Sequence, residues 1–245
     1  MIILFSDYGL PGPYIGQVEA VLHTAAPNSR IINLFSNLPR QNPKASSYLI
    51  AAYTRNFPEG TIFFCVVDPG VGSFTDRPVV MKLDNRWFVG PDNGIFDIVT
   101  RRSEKTECWK INWRPEHLSE TFHGRDLYAP VCAMIANGLD IPGEKVKWKD
   151  NHQWPDNLNE IIYKDHFGNC MTGINADTFK NNSTISISGK KVIYANTFTD
   201  VPAGTAFCYK NSNGLMEIAV NKGDAGRILK LDVGSEISIS RLSNK

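Results

Sequence analysis

The chain has 245 residues, 42% hydrophobic and 21% charged, with a formal net charge of +1. That length suits one large domain or two modest ones with real cores, and the composition is that of an ordinary globular protein. No basic block or run of like charge is present, which excludes the electrostatic footprint of a nucleic-acid binder.

The opening "MIILFSDYGLPGP" has a four-residue apolar run followed by polar and turn residues. That run is too short for a signal peptide or a membrane span. Strand one is expected over residues 2–5 ("IILF"). Residues 14–26 then put Ile15, Val18, Val21, Leu22 and Ala25 on one helical face. "RIINLF" (30–35) predicts a second strand. "PKASSYLIAAYTRNF" (43–57) predicts a second helix with Pro43 in its first turn. "TIFFCVV" (61–67) predicts a third strand. Apolar strands without alternation, separated by helices, argue for a parallel sheet covered on both faces. "PVVMKLDNRWFVGPDNG" predicts a hairpin turning at Asp84-Asn85, and residues 125–138 predict another helix.

The texture changes after residue 145. Residues 145–159 are rich in turn formers and without period, so a linker is placed at 149–158. It separates an α/β domain (1–148) from an all-β module (159–245) built of short β runs, a small barrel or sandwich. Only "DAGRILKL" interrupts those runs with a helical pattern.

The five cysteines (65, 108, 132, 170, 208) are odd in number, scattered and without a C-x-x-C pair. They read as reduced, mostly buried thiols, and the expected location is the cytoplasm. "NNST" (181–184) contains glycosylation sequons, which without a secretion signal read as chance. The histidines (23, 117, 123, 152, 166) are isolated, with no H-x-x-x-H, so no metal site is expected.

In an open parallel sheet, ligands bind beyond the carboxyl ends of the strands. Asp7, directly after strand one, could accept the hydroxyls of a ribose, or could stabilise a turn or cap a helix. The glycines that follow it miss the dinucleotide spacing. Asp68 in "VVDPGVGS", after strand three, could serve a site or a common Asp-Pro-Gly turn. Arg77 in the same loop could orient its carboxylate by paired hydrogen bonds. Asp92 and Asn93 of "GPDNG" read as backbone braces. In "TFHGRDLYAPV" (121–131), His123 and Gly124 could be a helix start, with Asp126 near its positive end. P-loop and G-x-S-x-G elements are absent.

Taken together and in order, "SDYG…YIGQVEAVL", "VVDPGVGS", "GPDNG", "TFHGRD-YAPV", "KDHFGN" and "NGLMEIAVNKGDA" resemble the S-adenosylmethionine hydrolase family, the SAM hydroxide adenosyltransferases. These are relatives of enzymes that attack the same substrate carbon with fluoride or chloride. The resemblance covers nearly the whole chain. It implies a Rossmann-like N-terminal α/β domain and a smaller C-terminal β-barrel. It also implies a homotrimer with active sites between subunits. The implied reaction converts S-adenosyl-L-methionine to adenosine and L-methionine by water attack at ribose C5′, with no cofactor, metal or membrane partner. The alternatives are a halide adenosyltransferase or a non-catalytic binder of S-adenosylmethionine or adenosine.

The resemblance groups Asp68, Arg77 and His123 around the attacking water. It assigns Asp7 to the ribose, Asp165 to the region near the methionine part, Phe167 and Asn169 to the adenine, and Ser212 to the methionine end. In the halide enzymes the aspartate of "VDPGVG" and the histidine of "HGRD" are replaced. Both are present here, which favours hydroxide over halide. One departure stands out: the first loop has Gly12 where the family usually has an aspartate, removing an acceptor for the substrate's ammonium group.

Overall fold

The computed structural model describes residues 1–73, 77–150, 152–179, 183–187 and 189–241. Asn181 and Asn182 of the sequons lie outside the described residues, as does part of the loop before Arg77. The chain divides into two compact units, Met1–Gln153 and Trp154–Lys245. No helix among the described residues is long and apolar enough to cross a membrane.

The first unit is a mixed sheet with helices on both faces. Its strands are β1 (Ile2–Ser6), β2 (Ile31–Phe35), β3 (Ile62–Val66), β4 (Pro78–Leu83), β5 (Arg86–Pro91), β6 (Thr106–Ile111) and β7 (Gly143–Val146). They lie in the order β2-β1-β3-β5-β4-β6-β7. The half containing β2, β1, β3 and β5 is parallel, as the unalternating apolar runs predict. From β4 to β7 the pairing is antiparallel, so the expectation of a parallel sheet holds for one half only. The cause is the two-residue turn at Asp84-Asn85. Both residues adopt positive φ (45° and 62°), the geometry that lets a hairpin follow strand twist.

Both faces of β1 are buried, which is why its sequence does not alternate. Ile2 and Leu4 join Val18 and Leu22 of α1 (Tyr14–Ala25) and Val131 of the later helix in one core. Phe5 faces the other way, stacked on Phe35 at 5.5 Å, and Phe35 meets Tyr53 of α2 (Pro43–Tyr53) at 4.9 Å. Each such fully buried side chain contributes about 1.5–3 kcal/mol, so β1 is the spine of the unit. Helix α2 starts where Asn42 accepts a hydrogen bond from the Ala45 N–H, with Pro43 in its first turn.

A short helix α3 (Asp97–Arg101) follows β5. Its Asp97 carboxylate meets His152 Nδ1 at 2.9 Å, and its Arg101 meets Asp150 at 2.5 Å. Burial pushes the Asp97 carboxyl up to about 6. The residues expected to begin a linker are therefore held by α3, and β7 occupies part of the stretch that lacked periodicity.

The second unit is a curled half-barrel. Its strands are β8 (Leu158–Lys164), β9 (Cys170–Asn175), β10 (Ser183–Ile187), β11 (Lys190–Tyr194), β12 (Ala206–Lys210), β13 (Leu215–Val220) and β14 (Ser238–Arg241), with the short helix α5 (Ala225–Leu229). They run in the order β14-β10-β11-β12-β13-β9-β8, antiparallel except for β11 with β12. Curling brings the ends together: Glu160 of β8 bridges Glu236, just before β14. Ile161, Ile174, Ile185, Val192, Ile218 and Leu231 fill the inside.

Candidate active site

Strands β1 and β3 are parallel neighbours in register, Ser6 opposite Val66. The chain leaves β1 to form β2 on one side and returns to form β3 on the other. Strand order therefore reverses between them, and their carboxyl ends open a crevice of the kind that receives ligands in such sheets. Asp7 stands immediately after β1, and Asp68 stands two residues after β3.

A cavity of about 60 Å³ lies there, lined by Asp7, Tyr8, Val66, Asp68, Val71, Thr121, Phe122, His123, Gly124 and Tyr128. Three side chains from distant parts of the sequence, Asp7, Asp68 and His123, are thus brought to one small space. It exceeds the roughly 10–15 Å³ that one water requires. It is far below the roughly 300–1,000 Å³ of pockets that enclose larger ligands. By size it admits a few waters and no larger ligand.

Local hydrogen bonds aim each group. Asp7 accepts the Gln41 N–H on Oδ2 at 2.8 Å, and burial raises its pKa against that bond and the nearby Arg40. Asp68 accepts the Gly70 N–H on Oδ1 at 3.1 Å, the bond expected of an Asp-Pro-Gly turn, while it also lines the cavity. Asn93 donates to the Val67 carbonyl at 2.9 Å and braces the strand exit beside Asp68. Gly72 has φ +74°, and a Cβ there would stand 2.3 Å from the Glu120 carbonyl oxygen. Its absence lets the Asp68 loop close against the segment leading to His123.

His123 is buried (6% exposed) and precedes a π-helical turn over Gly124–Tyr128, which runs into α4 (Ala129–Ala136). Such wide turns are frequent at functional sites. Asp126 accepts from Arg125 at 2.6 and 3.0 Å and from the Ser119 N–H at 2.9 Å. Arg125 also donates to Gln17 of α1 at 2.8 Å. The Arg125 guanidinium holds the Asp126 carboxyl below its ordinary range. In "HGRD", Arg and Asp fasten the turn, and His is what the turn presents.

Arg77 is not brought to this cavity. It lines a separate one of about 410 Å³ with Val79, Asp92, Cys108, Lys110 and Trp148 among others, and its carbonyl accepts the Asp92 N–H at 2.7 Å. Arg77 shares that neighbourhood with Asp92. The antiparallel β4 begins at Pro78, and its first rungs against β5 carry Arg77 toward Asp92.

Sequence reasoning did not single out Tyr8, which lines the same cavity as Asp68 and His123. An ideal Cβ on Gly124 would sit 1.9 Å from the Tyr8 hydroxyl. The missing side chain at Gly124 is what admits that hydroxyl. A signal was present in the adjacency of Tyr8 to Asp7, but the partner glycine is far away in sequence.

In the second unit, Asp165 accepts from the Phe167 and Asn169 N–H groups at 2.9 and 2.8 Å and from Asn169 Nδ2 at 3.0 Å. It therefore shapes the turn that presents Phe167, which is 75% exposed, while Asn169 is buried. Ser212 sits on an exposed turn organised from below by a carboxylate. Glu217, 3% exposed, accepts from Tyr209 Oη at 2.6 Å and from Asn211 Nδ2 at 2.8 Å. Asn211 Oδ1 in turn accepts the Asn213 and Leu215 N–H groups at 3.0 Å each. Burial pushes the Glu217 carboxyl up.

Glu217→Ala is expected to cost about 1–3 kcal/mol, because the Asn211 amide is left buried without an acceptor. Glu217→Gln should restore most of it, its amide oxygen serving Asn211 and its NH₂ donating to the Tyr209 oxygen. Urea unfolding of the three proteins measures this, and equal stability of Ala and wild type would refute it.

Among the described residues no group of three or more His, Cys, Asp or Glu side chains stands at metal-binding spacing. Residues 2–144 match the SAM hydroxide adenosyltransferase N-terminal domain, and residues 159–238 match the C-terminal domain of the same name. The chain belongs to the SAM hydroxide adenosyltransferase family.

Among its relatives are proteins named (R)-S-adenosyl-L-methionine hydrolase. The one from Thermus thermophilus is 31% identical, covering 97% of this chain and 98% of its own. The one from Salinispora arenicola is 29% identical over 96% and 95%. A crystal structure of an uncharacterized conserved protein from Thermotoga maritima superposes with a TM-score of 0.88 at 32% identity, covering 98% of this chain and all of the other.

Proposed function

We propose that this protein hydrolyses S-adenosyl-L-methionine to adenosine and L-methionine, with water or hydroxide attacking ribose C5′. The observation that carries the reading is the water-sized cavity at the carboxyl ends of β1 and β3, lined by Asp7, Asp68 and His123. Relatives that match nearly the whole chain bear the corresponding name.

The chemistry fits these groups. The leaving group is a neutral thioether, so no general acid is needed to expel it and S-adenosylmethionine is the sole reactant besides water. As the C5′–O bond forms, the C5′–S bond breaks and its electron pair neutralises the sulfonium. What the step lacks is a competent nucleophile, since bulk water has a pKa near 15.7. Asp68 orients the water and, with His123, takes its proton. Asp7 accepts hydrogen bonds from the ribose hydroxyls. A halide in the same cavity would meet the Asp68 carboxylate, and like charge in a partly buried space disfavours it.

Arg77, which the resemblance groups with Asp68 and His123, lines a separate cavity with Asp92 and is assigned no proton transfer in this reading. Asp165, through its turn, sets Phe167 and Asn169 for the adenine, and Ser212 holds the methionine end. The reading includes a Rossmann-like fold for residues 1–148, a linker at 149–158 and a barrel at 159–245. It further includes a homotrimer in which Phe167, Asn169 and Ser212 of one subunit face Asp7 of its neighbour, in the cytoplasm. The exposed Phe167 ring supports that placement, since aromatic surface of this kind suits a covered site.

Incubation with S-adenosylmethionine, with and without chloride or fluoride, tests the reaction. Adenosine in every arm is the expected product. A 5′-halo-adenosine would establish the halide enzyme instead, and no product with retained binding would establish a binder.

A further inference from the structure

We propose that the Tyr8 hydroxyl is a third water-holding group of the nucleophile cavity, donating a hydrogen bond to the oxygen that attacks C5′. This rests on the hydrolase reading and adds to it a catalytic residue.

Three observations carry it. Tyr8 lines the same 60 Å³ cavity as Asp68 and His123. Its ring is fixed against Phe122 at 5.6 Å and Tyr14 at 6.2 Å, so the hydroxyl has a defined position. That position is made by Gly124, the residue after His123, where any Cβ would overlap the hydroxyl. A buried phenol ordinarily finds a hydrogen-bond partner, and a water in the cavity supplies it.

The chemistry follows from charge. Burial and the neighbouring Asp7 and Asp68 carboxylates push the Tyr8 phenol up, so it stays protonated at working pH. It is a donor and never the base. A water held by Tyr8 through one lone pair, with its protons directed to Asp68 and His123, points its remaining lone pair in one direction. When the C5′–O bond forms, one proton passes to Asp68 or His123 and the pair of the C5′–S bond goes to sulfur. Tyr8 keeps its proton and ends bonded to the new 5′-hydroxyl. Its contribution is orientation, which is worth most when the nucleophile is otherwise free to turn.

Tyr8→Phe tests this, with Tyr14→Phe as the control for ring packing, because Tyr14 does not line the cavity. Steady-state adenosine release should show kcat for Tyr8→Phe reduced about tenfold, the loss of one hydrogen bond made at the reacting water. The KM for S-adenosylmethionine should stay within about twofold, and the shape of the kcat–pH profile should be unchanged. Tyr14→Phe should match the wild type.

Three results overturn the proposal: a wild-type kcat in Tyr8→Phe, an effect on KM alone, or a lost limb in the pH profile. An equal loss in Tyr14→Phe overturns it too, by assigning the effect to packing. If the wild type releases no adenosine, the hydrolase reading falls and takes the Tyr8 role with it. If the wild type is active and Tyr8→Phe equals it, the Tyr8 role alone falls.

Discussion

Asp68→Asn is expected to lower kcat for adenosine release by about 100-fold or more, and His123→Ala to do the same. The amide keeps the shape of the turn, since its oxygen still accepts the Gly70 N–H, but it removes the charge that orients or deprotonates water. Both residues line one small cavity, so under the proposed mechanism they act on one nucleophile. The double variant should therefore cost little more than the worse single one, as members of a catalytic unit are non-additive. Binding of S-adenosylmethionine, measured calorimetrically, should stay nearly unchanged in all three. Full additivity of the two losses, or wild-type turnover in Asp68→Asn, would remove the shared-water mechanism.

Gly124→Ala should cost at least about tenfold in kcat and about 1–3 kcal/mol in stability. The new methyl would stand 1.9 Å from the Tyr8 hydroxyl and 2.9 Å from the ring carbon that bears it. Tyr8 cannot retreat freely, because Tyr14 and Phe122 pack against its ring. The strain must be relieved by turning the ring within the cavity or by moving the backbone that presents His123. Adding Tyr8→Phe to Gly124→Ala takes away the closest atom, so stability should recover in part. Thermal melts beside adenosine release measure both effects. A fully stable, fully active Gly124→Ala would show that this close approach has no consequence.

The parts of this site that were legible in the sequence are those set by local chemistry. Apolar runs without alternation marked β1 and β3, and so put Asp7 and Asp68 at strand ends before any packing was known. Asp84-Asn85 announced its hairpin because few residues tolerate positive φ at two successive positions.

What was hidden depended on partners far along the chain. Strand β7 has mostly exposed residues, so no apolar pattern marks it, and it exists because β6 offers an edge to pair with. The wide turn at Gly124–Tyr128 carries no periodic signature apart from its helix. Arg77 reads as a neighbour of Asp68 in sequence, yet the start of an antiparallel strand carries it to Asp92. Tyr8 looks like an ordinary loop aromatic until Gly124 is known to lie beneath its hydroxyl.

All five thiols are buried, three in the first unit and two in the second. Burial pushes each of them up, Cys108 and Cys170 to about 12 and Cys208 to about 11. Only the thiolate reacts readily with alkylating reagents, so a closed fold presents almost none of it. Alkylation then becomes a clock for opening rather than a map of the surface. Modification at Cys65 or Cys132 dates the moment the first unit's core lets solvent in, and modification at Cys208 dates the same event in the second. The molecule thus carries an internal stopwatch in each half, readable by mass without adding any label site.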